Sequence, residues 1–247
     1  IAMASPGRDV KLSKDRITGY RNFITKIWSA NNFLKLNSCS LNKPPKTKNI
    51  KLKVNQWIYL ELQKTIEQIN KHINDFRFDE ASRVIYNFVW HTFCDWYIEF
   101  LKPIFNSKNK SLIDEAKVFS TYILSNILKL LHPFIPFFTE YAWKENNLDK
   151  ILKSDLINAD WPKIEKMSSF NQSSLEIETL IQIISSIRST KVQLNIPPKE
   201  YCNIIFFNET KKIKKSINSN VDIIKQVGRV NNIVTKKAKD KNIIQII

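Results

Sequence analysis

Residues 55–76 read NQWIYLELQKTIEQINKHINDF, and their spacing decides the fold class. Ile58, Leu62, Ile66, Ile69, Ile73 and Phe76 step by 4, 4, 3, 4 and 3. Side chains at those offsets share one face of an α-helix, so the stretch predicts an amphipathic helix from Asn55 to Phe76. Only 3 glycines (Gly7, Gly19, Gly228) occur in 247 residues. An antiparallel β-protein needs more of them for its tight turns, so a mainly α protein follows.

Upstream, Ser13–Lys35 predicts a first helix, with Ser13 as N-cap, Asp15 in the first turn, and Ile17, Tyr20, Ile24, Ile27, Trp28 and Phe33 on its apolar side. Residues 38–53 read as a loop, with Pro44-Pro45 and lysines at 43, 46, 48, 51 and 53. Downstream, Asp79–Leu101 is apolar around much of its circumference, which predicts the central helix of a bundle, stopped by Pro103. Leu112–Leu131 forms a fourth helix, opened by a Ser111/Asp114 capping box, and a short fifth runs through Glu145. A polar connector over 146–172 contains Trp161-Pro162. Ser173 and Glu176 form the capping box of a sixth helix that ends near Val192. After Pro197-Pro198, Tyr201–Phe207 reads as a strand, Glu209–Val227 as basic helical stretches and Ile243–Ile247 as a second strand. The expected organisation is a lead-in over 1–12, an antiparallel helix bundle over 13–192 and a small α+β appendage over 193–247.

The formal net charge is +16, and its distribution is uneven. Residues 1–53 carry a net +10, residues 54–160 a net −2 and residues 161–247 a net +8. A polyanionic partner accounts for that pattern, because lysines that neutralise phosphates release counterions. Codon bias towards Lys, Asn and Ile explains the richness in lysine but not the neutral middle. Cys39, Cys94 and Cys202 are far apart and show no CxxC spacing, so they read as the reduced thiols of a cytoplasmic protein. No metal ligands and no membrane span are expected. No glycine-rich phosphate loop or HExxH occurs, and no catalytic residue is expected.

Several segments, in order, resemble the part of the valyl-tRNA synthetases that follows the catalytic core. They are AMASPGRD (2–9), GYRNF (19–23) with KIWSA (26–30), FRFDEA (76–81), FCDWYIE (93–99) before Lys102-Pro103, LHPFIPF (131–137) and IRSTK (187–191). The family more often has Asn where Ser29 stands, and Lys191 replaces an arginine of its pattern. KMSSF (166–170) resembles the lysine loop of class I synthetases but lacks its second lysine, and no HIGH-type motif is present; it reads as linker. The resemblance implies a helical domain that binds the tRNA anticodon arm, as part of an ATP-dependent valine–tRNA ligase. It implies a tRNA partner, a monomer, and no cofactor in this region. ATP and Mg would serve the parent enzyme's catalytic core, which would precede Ile1, and a coiled coil would follow Ile247. A stand-alone RNA-binding helical module and the equivalent domain of an isoleucyl-tRNA synthetase remain as alternatives.

Anticodon loops are read by splaying their bases onto aromatic or guanidinium planes. Arg16, Phe33 and Lys35 on the first helix, with Arg188 and Lys191 on the sixth, are therefore the expected tRNA-binding residues, Phe33 as the stacking group. Arg21, set among Tyr20, Phe23 and Ile24, is expected instead to form a structural ion pair with Asp95 or Glu99, because a buried guanidinium needs a carboxylate. Trp90, Trp96 and Tyr97 read as core.

Overall fold

The computed structural model describes residues 13–46, 49–165, 168–207 and 210–236. The chain divides into two compact units between Asn171 and Gln172. The first unit contains α1 (Lys14–Leu36), α2 (Lys53–Asn74), α3 (Phe78–Asn87), α4 (Ile98–Phe105), α5 (Lys110–Leu131), α6 (Pro136–Glu145) and the short α7 (Leu148–Leu152). Between α3 and α4 the helix continues as a π-helical segment, Phe88–Tyr97. The second unit contains α8 (Asn171–Gln193), β1 (Cys202–Phe207), α9 (Lys211–Ser219), α10 (Val221–Gly228) and β2 (Val230–Lys236). The expected sixth helix of the bundle thus groups with the strands.

The stripe on α2 is realised: Ile58, Leu62, Ile66 and Ile69 are all buried. It stops earlier than expected. The helix ends at Asn74, and Phe76 sits beyond it at φ 55, 78% exposed. On α1 the buried positions are Phe23, Ile27, Ala30 and Leu34, with Ile17 and Tyr20 exposed, so the core face is rotated from the one expected. Ser13 stands at the N-cap of α1 but makes no side-chain cap bond. Asn109, not Ser111, caps α5 by accepting from the Leu112 N–H at 3.2 Å. α8 begins two residues before Ser173, so that predicted cap lies inside the helix.

The expected central helix is continuous through Phe105 and carries Pro103 within its last turns. Its middle, Phe88–Tyr97, is wider than an α-helix, with π-type backbone bonds from i to i+5. Phe88, Val89, Phe93, Cys94 and Tyr97 of this segment are buried. This segment packs against α1 and α2, while α5 packs against α1, α2, α3, α4 and α6. The core of the bundle lies between these two elements. Phe93, Tyr97 and Phe100 fill it from one side, and Phe119, Ile123, Ile127 and Leu128 of α5 from the other.

One polar network runs through this core. The Glu115 carboxylate of α5 accepts the backbone N–H groups of Lys51 (3.0 Å) and Leu52 (2.9 Å) at the start of α2, and the Asn55 side-chain amide at 3.0 Å. Asn55 is fully buried, and its oxygen accepts from the Tyr97 hydroxyl at 2.8 Å. Both N–H groups lie just before the first turn, where the carboxylate also meets the positive end of the helix dipole. The connector after α7 is strapped to the bundle in the same manner. The Trp161 indole donates to Asn70 (2.8 Å), the Glu165 N–H donates to Gln63 (2.6 Å), and the Tyr59 hydroxyl donates to the Glu165 carboxylate (2.7 Å).

In the second unit, β1 and β2 pair in parallel, with Cys202 opposite Val230 and Phe207 opposite Lys236. The chain reaches β2 through α9 and α10, since parallel neighbours require a crossover. The strand expected at Ile243–Ile247 lies outside the described residues, and the observed partner, Val230–Lys236, is not among the expected strands.

Replacing Glu115 by Ala should cost on the order of 3 kcal/mol, because it strands Asn55 and two backbone donors. Urea denaturation measures this, and a loss under about 0.5 kcal/mol would show that the network does not hold α2 in place.

Candidate nucleic-acid interface

The C-terminal end of α1 presents Phe33, Lys35 and the exposed Leu36. The Asn37 side-chain amide closes the helix by donating to the Phe33 carbonyl at 2.8 Å, and Ser38 turns the chain away at φ 55. Phe33 is half-buried. Its ring lies 5.9 Å from that of Phe105 at the end of α4, and the Lys102 ammonium stands 5.9 Å from its centroid. Lys35 pairs with Glu145 of α6 at 2.6 Å, and Lys102 pairs with Glu99. Both pairs are partly solvated, and such pairs contribute about 0–1 kcal/mol. The arrangement is an aromatic pair flanked by two cations whose carboxylate partners are weakly held, so both cations can be transferred to phosphate.

A second cluster sits on the same helix. The Lys26 ammonium lies 2.6 Å from Asp95 and 3.8 Å from the centroid of Trp90, and His91 approaches the other Asp95 oxygen at 3.4 Å. Trp90 stacks with Tyr86 at 5.7 Å, and Tyr86 with Phe23 at 4.7 Å. Lys26 therefore occupies the role expected of Arg21. Arg21 is exposed and pairs with neither acid, and Glu99 is engaged by Lys102. The reason is angular: position 21 is about 200° from the buried Phe23 on a helix, whereas position 26 is about 60° from Phe23 and about 40° from the buried Ala30. Trp90 and Trp96 are half-buried and Tyr97 is fully buried.

The remaining expected residues have different fates. The side chain of Arg16 lies outside the described residues. Lys191 is a correction. It is 4% exposed, and its ammonium donates to the carbonyls of Glu200 (2.8 Å), Gly228 (3.1 Å) and Arg229 (2.9 Å). A lysine has three donors, so none is left for phosphate. Arg188, half-buried, donates to the Val227 carbonyl at 3.1 Å. Both cations close the C-terminal end of α10, whose last carbonyls have no partner within the helix. A Cβ on Gly228 would stand 3.4 Å from Val230 and 3.7 Å from Ile187, so this corner is tightly filled. Of the lysines in the 38–53 loop, Lys43, Lys46, Lys51 and Lys53 are exposed, and Lys48 lies outside the described residues. Sequence reasoning missed Lys102 and Phe105 because it ended the central helix at Pro103. The Lys-Pro-Ile-Phe sequence carried the signal, a cation and an aromatic three residues apart.

A family described as "Anticodon-binding domain of tRNA ligase" matches residues 55–206. The chain belongs to that family. Its relatives include the valine–tRNA ligases of Pelagibacter ubique (42% identical over 96% of this chain), Rhizobium meliloti (36% over 99%) and Bartonella quintana (36% over 94%). The chain spans about a quarter of the length of these proteins, 27%, 26% and 25% respectively. Among the described residues of this anticodon-binding domain, no helix is long and apolar enough to cross a membrane, and no group of three or more His, Cys, Asp or Glu could hold a metal ion.

Two expected outcomes test the local geometry. Lys26→Ala should destabilise by about 1–2 kcal/mol through loss of a part-buried ion pair and a cation–π contact, whereas Arg21→Ala should stay within about 0.5 kcal/mol. Equal effects in denaturant titrations would restore Arg21 as the partner. Burial pushes the Cys94 thiol from its ordinary 9.0 up to about 12, with Lys26 opposing and Asp95 adding to the rise. Native Cys94 should thus remain a thiol at pH 9 and resist iodoacetamide, and alkylation followed by mass spectrometry should find it modified only after denaturation. The unfolded chain gives up this proton near pH 9 while the native chain keeps it, so Cys94 lowers stability as pH rises from 9 towards 12.

Proposed function

We propose that this chain binds the anticodon arm of a valine tRNA as one part of a valine–tRNA ligase. The observation that carries this reading is the Phe33–Phe105 pair at the end of α1, flanked by Lys35 and Lys102. An unpaired loop exposes base faces that stack on aromatic rings and phosphates that draw lysine ammonium groups from weak surface pairs. The family match and the names of the relatives support the same partner. In the parent ligase, ATP and Mg would serve valine activation in the catalytic core, with the bundle holding the tRNA in register. Lys191 and its carbonyls contribute by keeping the second unit folded.

Binding of valine-tRNA transcripts to the chain tests this. Phe33→Ala should weaken binding about tenfold, since base–aromatic stacking is worth ~1–3 kcal/mol per base. Lys35→Ala should reduce the slope of log K against log salt by about 1. An unchanged affinity in Phe33→Ala, or a preference for transcripts bearing an isoleucine anticodon, would overturn the assignment.

A further inference from the structure

The 38–53 loop, α2, α5 and the strapped connector line a half-open cavity of about 240 Å³ that the interface described above does not use. Its polar lining includes Gln63, Tyr122, Lys129, Asp160, Trp161 and the Glu165 carboxylate that accepts from Tyr59. Two of these carry donors with no hydrogen-bond acceptor among the described residues. Gln63 is only 8% exposed, and its oxygen is taken by the Glu165 N–H, which leaves its amide N–H groups open. Lys129 is half-buried and forms no ion pair among the described residues; the Trp143 ring lies 5.9 Å from its ammonium. Burial pushes the Lys129 pKa below the ordinary lysine value, and Asp160 offsets part of that fall. Neither donor is among the buried polar atoms left without a partner, so water solvates both until an acceptor entering the site replaces it. Tyr122, its hydroxyl pKa raised by burial, stays protonated and adds a third polar group. The exposed Asp160 supplies the matching acceptor.

The cavity is smaller than those that hold drug-sized ligands, which measure roughly 300–1,000 Å³, and it combines donors, a carboxylate acceptor and an indole wall. That combination suits one planar base. Leu41 and Pro44 bring the lysine-rich loop to the cavity, with Lys43 and Lys46 of that loop exposed, and the exposed Lys163 also lines it. These lysines can hold the phosphates on either side of a nucleotide turned out of its stack.

We propose that this cavity receives a single unstacked nucleobase of the bound RNA, one carrying a keto oxygen that accepts from Lys129 and Gln63 while Asp160 accepts from its N–H edge. The proposal rests on the RNA-binding reading and adds a second point of base recognition, separate from Phe33. A keto oxygen beside a ring N–H is offered by guanine and uracil and not by adenine or cytosine, so the site favours one of the first two.

The test pairs protein and RNA changes. Valine-tRNA transcripts in which each unpaired anticodon-loop nucleotide is replaced singly by an abasic unit are titrated against the chain and against Lys129→Met. One abasic position should weaken binding to the unaltered chain about tenfold, and the same position should cost Lys129→Met less than about twofold. If the abasic profiles of the two proteins coincide while both bind RNA, the cavity takes no base and the Phe33 interface stands alone. If the unaltered chain binds no transcript, the RNA reading and this proposal fall together. Should Lys129→Met not fold, photo-crosslinking of the unaltered chain with thio-substituted bases decides. Adducts within residues 160–165 or on α5 support the proposal, and adducts confined to other segments overturn it.

Discussion

The carboxylate of Glu115 is the constraint on which the bundle depends. It stands at the start of α2, where free backbone N–H groups and the helix dipole demand a negative charge, and it reaches the core through Asn55 to Tyr97. A buried polar chain of this kind has little freedom: each member is satisfied only when α2, α5 and the π-helical segment hold one relative position. Apolar packing alone tolerates sliding between helices. The Glu115–Asn55–Tyr97 chain does not, and it fixes the register in which the α2 stripe meets the other helices.

The helical class, the α2 stripe and the identity of the central helix are all legible in the sequence, because each rests on spacing within one element. Expectations fail where the answer depends on another element. The α1 core face is misplaced because Ile17 and Tyr20 are apolar yet stay exposed, whereas the small Ala30 and the buried Asn31 complete the true face. The π-helical widening is not readable, because Ile85, Val89, Phe93, Tyr97 and Leu101 are buried at the four-residue steps of an ordinary helical stripe. The β2 strand, with Ile233-Val234-Thr235, escapes notice for want of a nearby partner, since its pair lies across two helices.

The candidate interface divides in the same way. Phe33 and Lys35 are legible because they close a helix beside a basic loop. Their companions Lys102 and Phe105 belong to α4 and join them only through folding. Lys191 shows the opposite error: a cation in a basic segment invites a phosphate, yet tertiary structure commits it to the carbonyls ending α10. Charge counted along a sequence does not distinguish a lysine that faces solvent from one that has replaced water at a helix end.

The parallel pairing of β1 and β2 carries a consequence for synthesis. Cys202 meets Val230, which is made only after both intervening helices, so no ladder bond can form while β1 is emerging from the ribosome. Until α9 and α10 have been made, Ile204-Ile205-Phe206-Phe207 is a nascent apolar edge with unpaired backbone groups, the kind of segment that recruits other chains. The basic run Lys211-Lys212-Ile213-Lys214-Lys215 follows three residues later, a flanking charge of the kind that opposes association of such segments.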